Sequence, residues 1–194
     1  MKQGAEVCVA ATKALEEALE EGATEIDVAA AGEAVMEEEF KRRFPDFEYT
    51  GVLSVCRSGH RSIYGHTGPT GKRIQRGEVN LFGAEPEIMG YYYTLLRERV
   101  VGPVPEALKR PFDVRLEAAY RCLEAMTPGV KCSDIDKLAR SIFEKAGYVQ
   151  YKGFGTGHSF GLMGPFWGRE GLGDLRAYND APIQEGTILS VEPS

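Results

Sequence analysis

Apolar residues return at every third or fourth position from Val7 through Ala11, Ala14, Leu15, Ala18 and Leu19, with glutamates in the intervals and Gly22 following. That spacing predicts an amphipathic helix stopped by a glycine. Thr24 is expected to cap a second helix reaching about Arg42. Glu25 and Asp27 lie in its first turn, where carboxylates suit the helix dipole, and Pro45 lies beyond its end. The pattern returns in the second half of the chain. Leu116, Ala119, Tyr120, Leu123 and Met126 mark a third helix stopped by Pro128-Gly129, and Ser133 is expected to cap a fourth running to about Gly147. Thr24-Glu25-Ile26-Asp27 before Ala30 matches Ser133-Asp134-Ile135-Asp136 before Ala139, so the helix-helix unit reads as an internal duplication.

Each helix pair is followed by strand-like sequence. After the first it covers residues near Phe47 to Cys56, Val79 to Ala84 and Met89 to Val101, rich in Tyr, Val and Leu; after the second, Tyr148 to Lys152, His158 to Met163 and Thr187 to Glu192. Two helices and then several strands, twice over, predict an α+β domain whose helices cover one face of a curved sheet. The opposite face is left for a site.

Composition narrows the functional classes. With 194 residues, 43% hydrophobic and 27% charged, the chain is expected to form one domain over residues 1–194. The net charge of -6 argues against a nucleic-acid partner, since Lys and Arg cluster only in short pieces such as Lys41-Arg42-Arg43. Cys8, Cys56, Cys122 and Cys132 show no CxxC spacing and read as reduced thiols of a cytoplasmic protein. Neither a membrane segment nor a signal peptide is expected.

Three histidines can be weighed one by one. His60, in Arg57-Ser58-Gly59-His60-Arg61, reads as an exposed loop residue, and so, on the residues alone, does His66 in Tyr64-Gly65-His66-Thr67-Gly68-Pro69-Thr70. His158, bracketed by Gly157 and Gly161 between strand-forming pieces, reads as a site residue, with a core histidine as the competitor. His158, Glu170, Asp174, Asp180 and Glu192 are a set of possible hard-metal ligands. A two-metal hydrolase needs carboxylates from several strands, yet no Asp occurs between Asp46 and Asp113. That absence weakens the metal reading.

With these residues laid out, the chain resembles the pita-bread family that contains methionine aminopeptidase, prolidase, Xaa-Pro aminopeptidase and creatinase, and it is most similar to the creatinase branch. The duplicated helix pairs carry the resemblance, with His66-Thr67-Gly68-Pro69-Thr70, Arg76-Gly77-Glu78-Val79, Met89-Gly90-Tyr91-Tyr92, Gly157-His158-Ser159-Phe160-Gly161, Gly168-Arg169-Glu170 and Ser190-Val191-Glu192-Pro193. The resemblance implies a pita-bread fold with a curved antiparallel sheet. Metallopeptidase members carry two metal-binding aspartates, seven residues before and four residues after the glycine of the Gly-Tyr pair; counted from Gly90, those places hold Gly83 and Thr94.

The creatinase branch works without metal, so the resemblance implies no cofactor. It implies that His66 is the proton shuttle, that Glu192 holds a guanidinium group, that Arg169 helps hold a substrate carboxylate, and that Tyr92 and His158 line the pocket. A second guanidinium-binding glutamate of creatinase falls on Leu96, and Glu98, two residues further along the strand, is the candidate replacement, with a bulge as another route to a shifted register. Charge-assisted hydrogen bonds to a guanidinium and a carboxylate suit such a kit to a zwitterionic guanidino acid. The implied function is hydrolysis of a carbon-nitrogen bond of a creatine-like small molecule, by a homodimer in the full-length parent. The branch also has an N-terminal domain and closing strands that are expected to be missing here, making the chain a fragment. Two further readings are a prolidase or Xaa-Pro aminopeptidase with an altered site for Mn or Co, and a non-catalytic binding module.

Overall fold

All four expected helices are present in the structure, a computed structural model that describes residues 2–48, 50–162 and 173–193. They are divided between two compact units, Met1–Val104 and Pro105–Ser194.

In the first unit, α1 (Lys2–Ala18) buries Val7, Cys8, Ala11 and Leu15, and α2 (Glu25–Arg43) buries Val28, Met36 and Phe40. Thr24 caps α2 as expected. Its hydroxyl accepts from the Asp27 N–H at 3.1 Å, and the Asp27 carboxylate accepts from the Thr24 N–H at 2.9 Å. Glu25 departs from expectation: it is fully buried rather than a surface charge beside the helix dipole.

Six short strands follow: β1 (Thr50–Gly51), β2 (Ser54–Ser58), β3 (Val79–Ala84), β4 (Glu87–Ile88), β5 (Tyr91–Tyr92) and β6 (Leu95–Val100). They form two three-stranded antiparallel sheets, β1-β4-β5 and β2-β3-β6. Cys56, Phe82 and Ala84 turn toward the helices and join Val7, Leu15, Val28 and Met36 in one core. Strand alternation sends their neighbours to the other face. There the register aligns Arg57, Leu81 and Glu98 in one row and Val55, Gly83 and Leu96 in the next.

In the second unit, α3 (Glu106–Ala125) and α4 (Cys132–Ala146) keep the expected positions, but three details change. The face of α3 turned inward is Val114, Ala118 and Cys122, small residues that allow close packing against α4, whereas Leu116, Tyr120 and Leu123 are 55%, 59% and 52% exposed. Ser133 does not cap α4. The helix begins at Cys132 with Lys131 at its N-cap, two residues before the expected cap, and the Ser133 hydroxyl donates instead to Asp180 Oδ1 at 2.6 Å. Tyr148 to Lys152 is not a strand but a 3-10 turn over Val149–Tyr151, packed at the end of α4.

Of the other two expected strands, the described residues of 158–163 and 187–192 make isolated bridges rather than regular strands: Ser159 pairs with Leu189, and Gly157 with Leu175. Met163 lies outside the described residues. Among the described residues, no helix is long and apolar enough to cross a membrane.

The duplication is borne out by hydrogen bonding, in a different register from the one the helix starts suggest. In the first unit Gly22 N–H donates to Ile74 O, Ile74 N–H to Ala23 O and Glu25 N–H to Lys72 O. In the second, Gly129 N–H donates to Ile183 O, Ile183 N–H to Val130 O and Cys132 N–H to Ala181 O. Glu25 therefore corresponds to Cys132 and Thr24 to Lys131, two residues before Ser133. The accepting loops read Ile74-Gln75-Arg76-Gly77 and Ile183-Gln184-Glu185-Gly186, and both glycines have left-handed backbone, φ 86° and 83°. Counting on from those glycines, Gly83 and Glu192 occupy equivalent places.

Candidate functional site

In the second unit the backbone brings together the two residues singled out at either end of the candidate motif. Glu192 N–H donates to Thr156 O and Ser190 N–H to His158 O, both at 2.8 Å, so His158 and Glu192 stand on adjoining extended segments. His158 Nε2 lies 3.1 Å from Glu192 Oε1, with the His side chain 17% and the Glu side chain 43% exposed. His158 Nδ1 lies 2.9 Å from the Ser159 carbonyl oxygen. Both ring nitrogens thus face acceptors, one a carbonyl and one a carboxylate. A carbonyl requires a donor, which puts a proton on Nδ1; Nε2 and the carboxylate then need a positive charge or proton between them. Ser190 completes the cluster: its hydroxyl accepts from His158 N–H at 3.0 Å and donates to Glu192 Oε1 at 2.6 Å.

A buried ion pair holds this platform from behind. The Thr156 hydroxyl donates to Asp136 Oδ1 at 2.7 Å, Arg140 Nε donates to Asp136 Oδ2 at 2.7 Å, and Lys152 Nζ lies 3.6 Å from the same carboxylate. The Asp136 and Lys152 side chains are fully buried. Burial alone would raise the Asp136 pKa, but the hydrogen bonds from Thr156 and Arg140 and the charge of Lys152 outweigh it and hold the carboxyl below its ordinary value. Burial pushes Lys152 down, against the pull of Asp136. Sequence reasoning missed Ser190, Thr156, Asp136 and Lys152 as parts of a site. Lys152 had one available signal, a lone cation between Tyr151 and Phe154 in an otherwise apolar and glycine-rich run.

The first unit carries the remaining candidates. His66 is exposed at a turn with left-handed backbone, φ 58°. Tyr92 is half-buried in β5 opposite the buried Glu87, and Glu98 sits in β6 opposite Leu81. Pairing of β3 with β6 runs without interruption from Val79↔Val100 to Ala84↔Leu95, so no bulge shifts Glu98; it shares a face with Leu96 by plain alternation. Arg169 lies outside the described residues, as does Glu170.

The described residues do not fit a metal centre of the two-aspartate kind. A Cβ at Gly83 would lie 2.7 Å from Leu96 Cδ2 and 2.9 Å from Leu96 Cα, and closer still to the Leu95 carbonyl oxygen, so β6 closes the place of the first aspartate. Thr94, at the place of the second, offers a hydroxyl within 3.5 Å of Glu85. The other carboxylates offered by the sequence are engaged elsewhere: Asp174 with Arg176 and Tyr178, Asp180 with Ser133 and Lys131. Among the described residues, no three of His, Cys, Asp and Glu group to hold a metal ion. The four cysteines are buried thiols outside any disulfide, and burial pushes Cys8 and Cys56 up to about 12 and Cys122 to about 11, so none of these three is a ready nucleophile.

Comparison with known proteins agrees with this architecture. The family described as metallopeptidase family M24 matches residues 1–194. Creatinase from Bacillus sp. (strain B-0618) is 30% identical over 193 residues, covering 100% of this chain and 47% of the relative. Xaa-Pro dipeptidase from Pyrococcus furiosus is 31% identical over 189 residues, covering 96% of this chain and 51% of the relative. The solved structure of prolidase from Pyrococcus furiosus superposes with a TM-score of 0.87 at 29% identity, covering 98% of this chain and 53% of that one. The chain spans about half the length of these relatives, and its fold is the pita-bread fold of these enzymes.

Proposed function

The chain belongs to metallopeptidase family M24, and from that premise we propose that the protein is a metal-independent hydrolase of the creatinase type, cleaving a carbon-nitrogen bond of a guanidino acid. The observation that carries this reading is Gly83: the strand crossing at Leu95 and Leu96 leaves no room for an aspartate side chain where the metal-dependent branch needs one. In the proposed reaction His66 takes a proton from water as the oxygen adds to the guanidinium carbon. The same proton returns to the leaving nitrogen as the carbon-nitrogen bond breaks. Glu192 holds the guanidinium by charge-assisted hydrogen bonds, and His158 orients Glu192 from the side. Tyr92, Glu98 and Arg169 are assigned to substrate binding. A single catalytic domain over residues 1–194, a homodimeric parent and a cytoplasmic location, suited to four reduced thiols, belong to the same proposal.

The test is turnover of creatine by the purified full-length protein with and without chelator. Activity is expected to survive EDTA and to fall by about 10²- to 10⁴-fold in His66→Ala. One observation favours a second reading, an Xaa-Pro peptidase: with Nδ1 committed to a carbonyl, the 3.1 Å gap between His158 Nε2 and Glu192 Oε1 has the polarity to accept a cation in place of a proton. Inhibition by EDTA with recovery on Mn2+ or Co2+ would establish that reading instead. Absence of turnover on both guanidino and dipeptide substrates would leave a binding module.

A further inference from the structure

The turn that carries His66 is tied down by groups that have no place in the proposed chemistry. Glu25, fully buried at the start of α2, accepts from five donors. Its Oε1 takes the Ser58 N–H at 2.8 Å and the Ser58 hydroxyl at 2.9 Å. Its Oε2 takes the Thr70 N–H at 2.9 Å, the Thr70 hydroxyl at 2.8 Å and Arg61 Nε at 3.1 Å. Ser58 and Thr70 are the two ends of the segment containing His66, so one carboxylate closes that segment into a loop.

Inside the loop, the carbonyls on either side of His66 are held as well. Arg61 Nη2 donates to Gly68 O at 2.9 Å, and Arg57 Nη1, from β2, donates to Tyr64 O at 2.8 Å. Arg57 is buried, 5% exposed, so its grip on the turn is not a mobile surface contact. The backbone needs such holding. His66 is one of two described non-glycine residues with positive φ, a strained conformation that persists where the surroundings over-determine it.

We propose that Glu25 is a positioning residue for His66, acting through Ser58, Thr70 and Arg61 to hold the turn in the one conformation from which the imidazole works. The inference rests on the reading of His66 as the proton shuttle. It requires a carboxylate and not merely a polar side chain of that size. Glutamine would replace one acceptor oxygen by a donor amide, which at one end of the loop would face the N–H and hydroxyl of Ser58 or Thr70.

The experiment is Glu25→Gln in the full-length protein, alone and combined with His66→Ala. With His66 present, kcat on creatine is expected to fall about 10- to 100-fold while KM stays within roughly twofold, the signature of a misplaced group rather than lost binding. In the His66→Ala background the same substitution is expected to change kcat by less than about twofold, because the group it positions is gone. Equal fractional losses in both backgrounds would overturn the proposal. Amide hydrogen exchange reports on the turn independently of substrate: the N–H groups of Tyr64, which donates to Arg61 O, and Thr70, which donates to Glu25, are expected to exchange at least about tenfold faster in Glu25→Gln while the centre of α2 keeps its protection, and unchanged exchange at Tyr64 would overturn it too. If Glu25→Gln does not fold, Arg61→Met cuts the ties to Gly68 and Glu25 from the exposed side and is read the same way. Should wild-type protein fail to turn over creatine, the functional reading falls while the exchange data still decide whether Glu25 holds the turn.

Discussion

Gly83 shows how much a single residue can decide. It sits in β3 with Leu95 and Leu96 of β6 against its α-carbon, and a side chain there meets backbone atoms that cannot rotate away. Gly83→Ala is therefore expected to destabilise the protein by about 1–3 kcal/mol, as overpacking of a closed site does, measurable by urea unfolding. Gly83→Asp combined with Thr94→Asp is expected not to create a stoichiometric Mn2+ site. A stable double variant that binds one Mn2+ would contradict the closure argument. The glycine itself was legible in the sequence as a missing ligand, but its steric reason was not, because the crossing strand comes from residues more than ten positions away. Glu25 was misread for a similar cause. As the first residue after a helix cap it has the local context of a surface carboxylate, and only Ser58, Thr70 and Arg61, far along the chain, make it a buried anchor.

At the scale of elements, periodicity located all four α-helices of the described residues and left one of them facing the wrong way. The α3 sequence has two apolar stripes, a large one through Leu116, Tyr120 and Leu123 and a small one through Val114, Ala118 and Cys122. Hydrophobic pattern favours the large stripe, yet helix packing favours the small one, since small side chains let α3 approach α4 closely. The corresponding face of α1 also uses small residues, with Cys8, Ala11 and Thr12 among those it buries. Leu116→Ser is therefore expected to change stability by no more than about 0.5 kcal/mol, whereas Ala118→Leu is expected to cost about 1–3 kcal/mol, both by urea unfolding. The reverse order would return the large stripe to the core. Strand assignments failed where the chain between glycines is too short or too bent to pair regularly. Tyr148 to Lys152 has strand-like residues, but it follows the left-handed Gly147 that ends α4 and continues as a 3-10 turn.

For the molecule as a whole, each unit has a carboxylate wholly shielded from solvent, Glu25 in the first and Asp136 in the second. Burial would raise both pKa values, but hydrogen bonds from Ser58 and Thr70 to Glu25, and from Thr156 and Arg140 to Asp136, hold them below the ordinary carboxylate range. A carboxylate whose folded pKa is lowered contributes stability above its unfolded pKa, and that contribution is lost as pH falls through the folded value. Urea unfolding is therefore expected to show stability falling from about pH 4 downward, with a smaller fall in Asp136→Asn. Stability unchanged between pH 7 and pH 3 would contradict it. Lys152 works in the other direction: its lowered pKa means that the buried charge costs stability at neutral pH, relieved as pH rises through the folded value toward the ordinary 10.5. The sequence alone determined the helix pairs, the Thr24 cap, the repeat and the glycine-flanked His158 with Glu192, because caps, turns and periodicity depend on residues within a few positions of one another. Only the tertiary structure decided the register of the repeat, the inward face of α3, the closure at Gly83, the burial of Glu25 and Asp136 and the contact of His158 with Glu192. Each of these depends on which distant segments meet, and burial and hydrogen-bond partners exist only once they do.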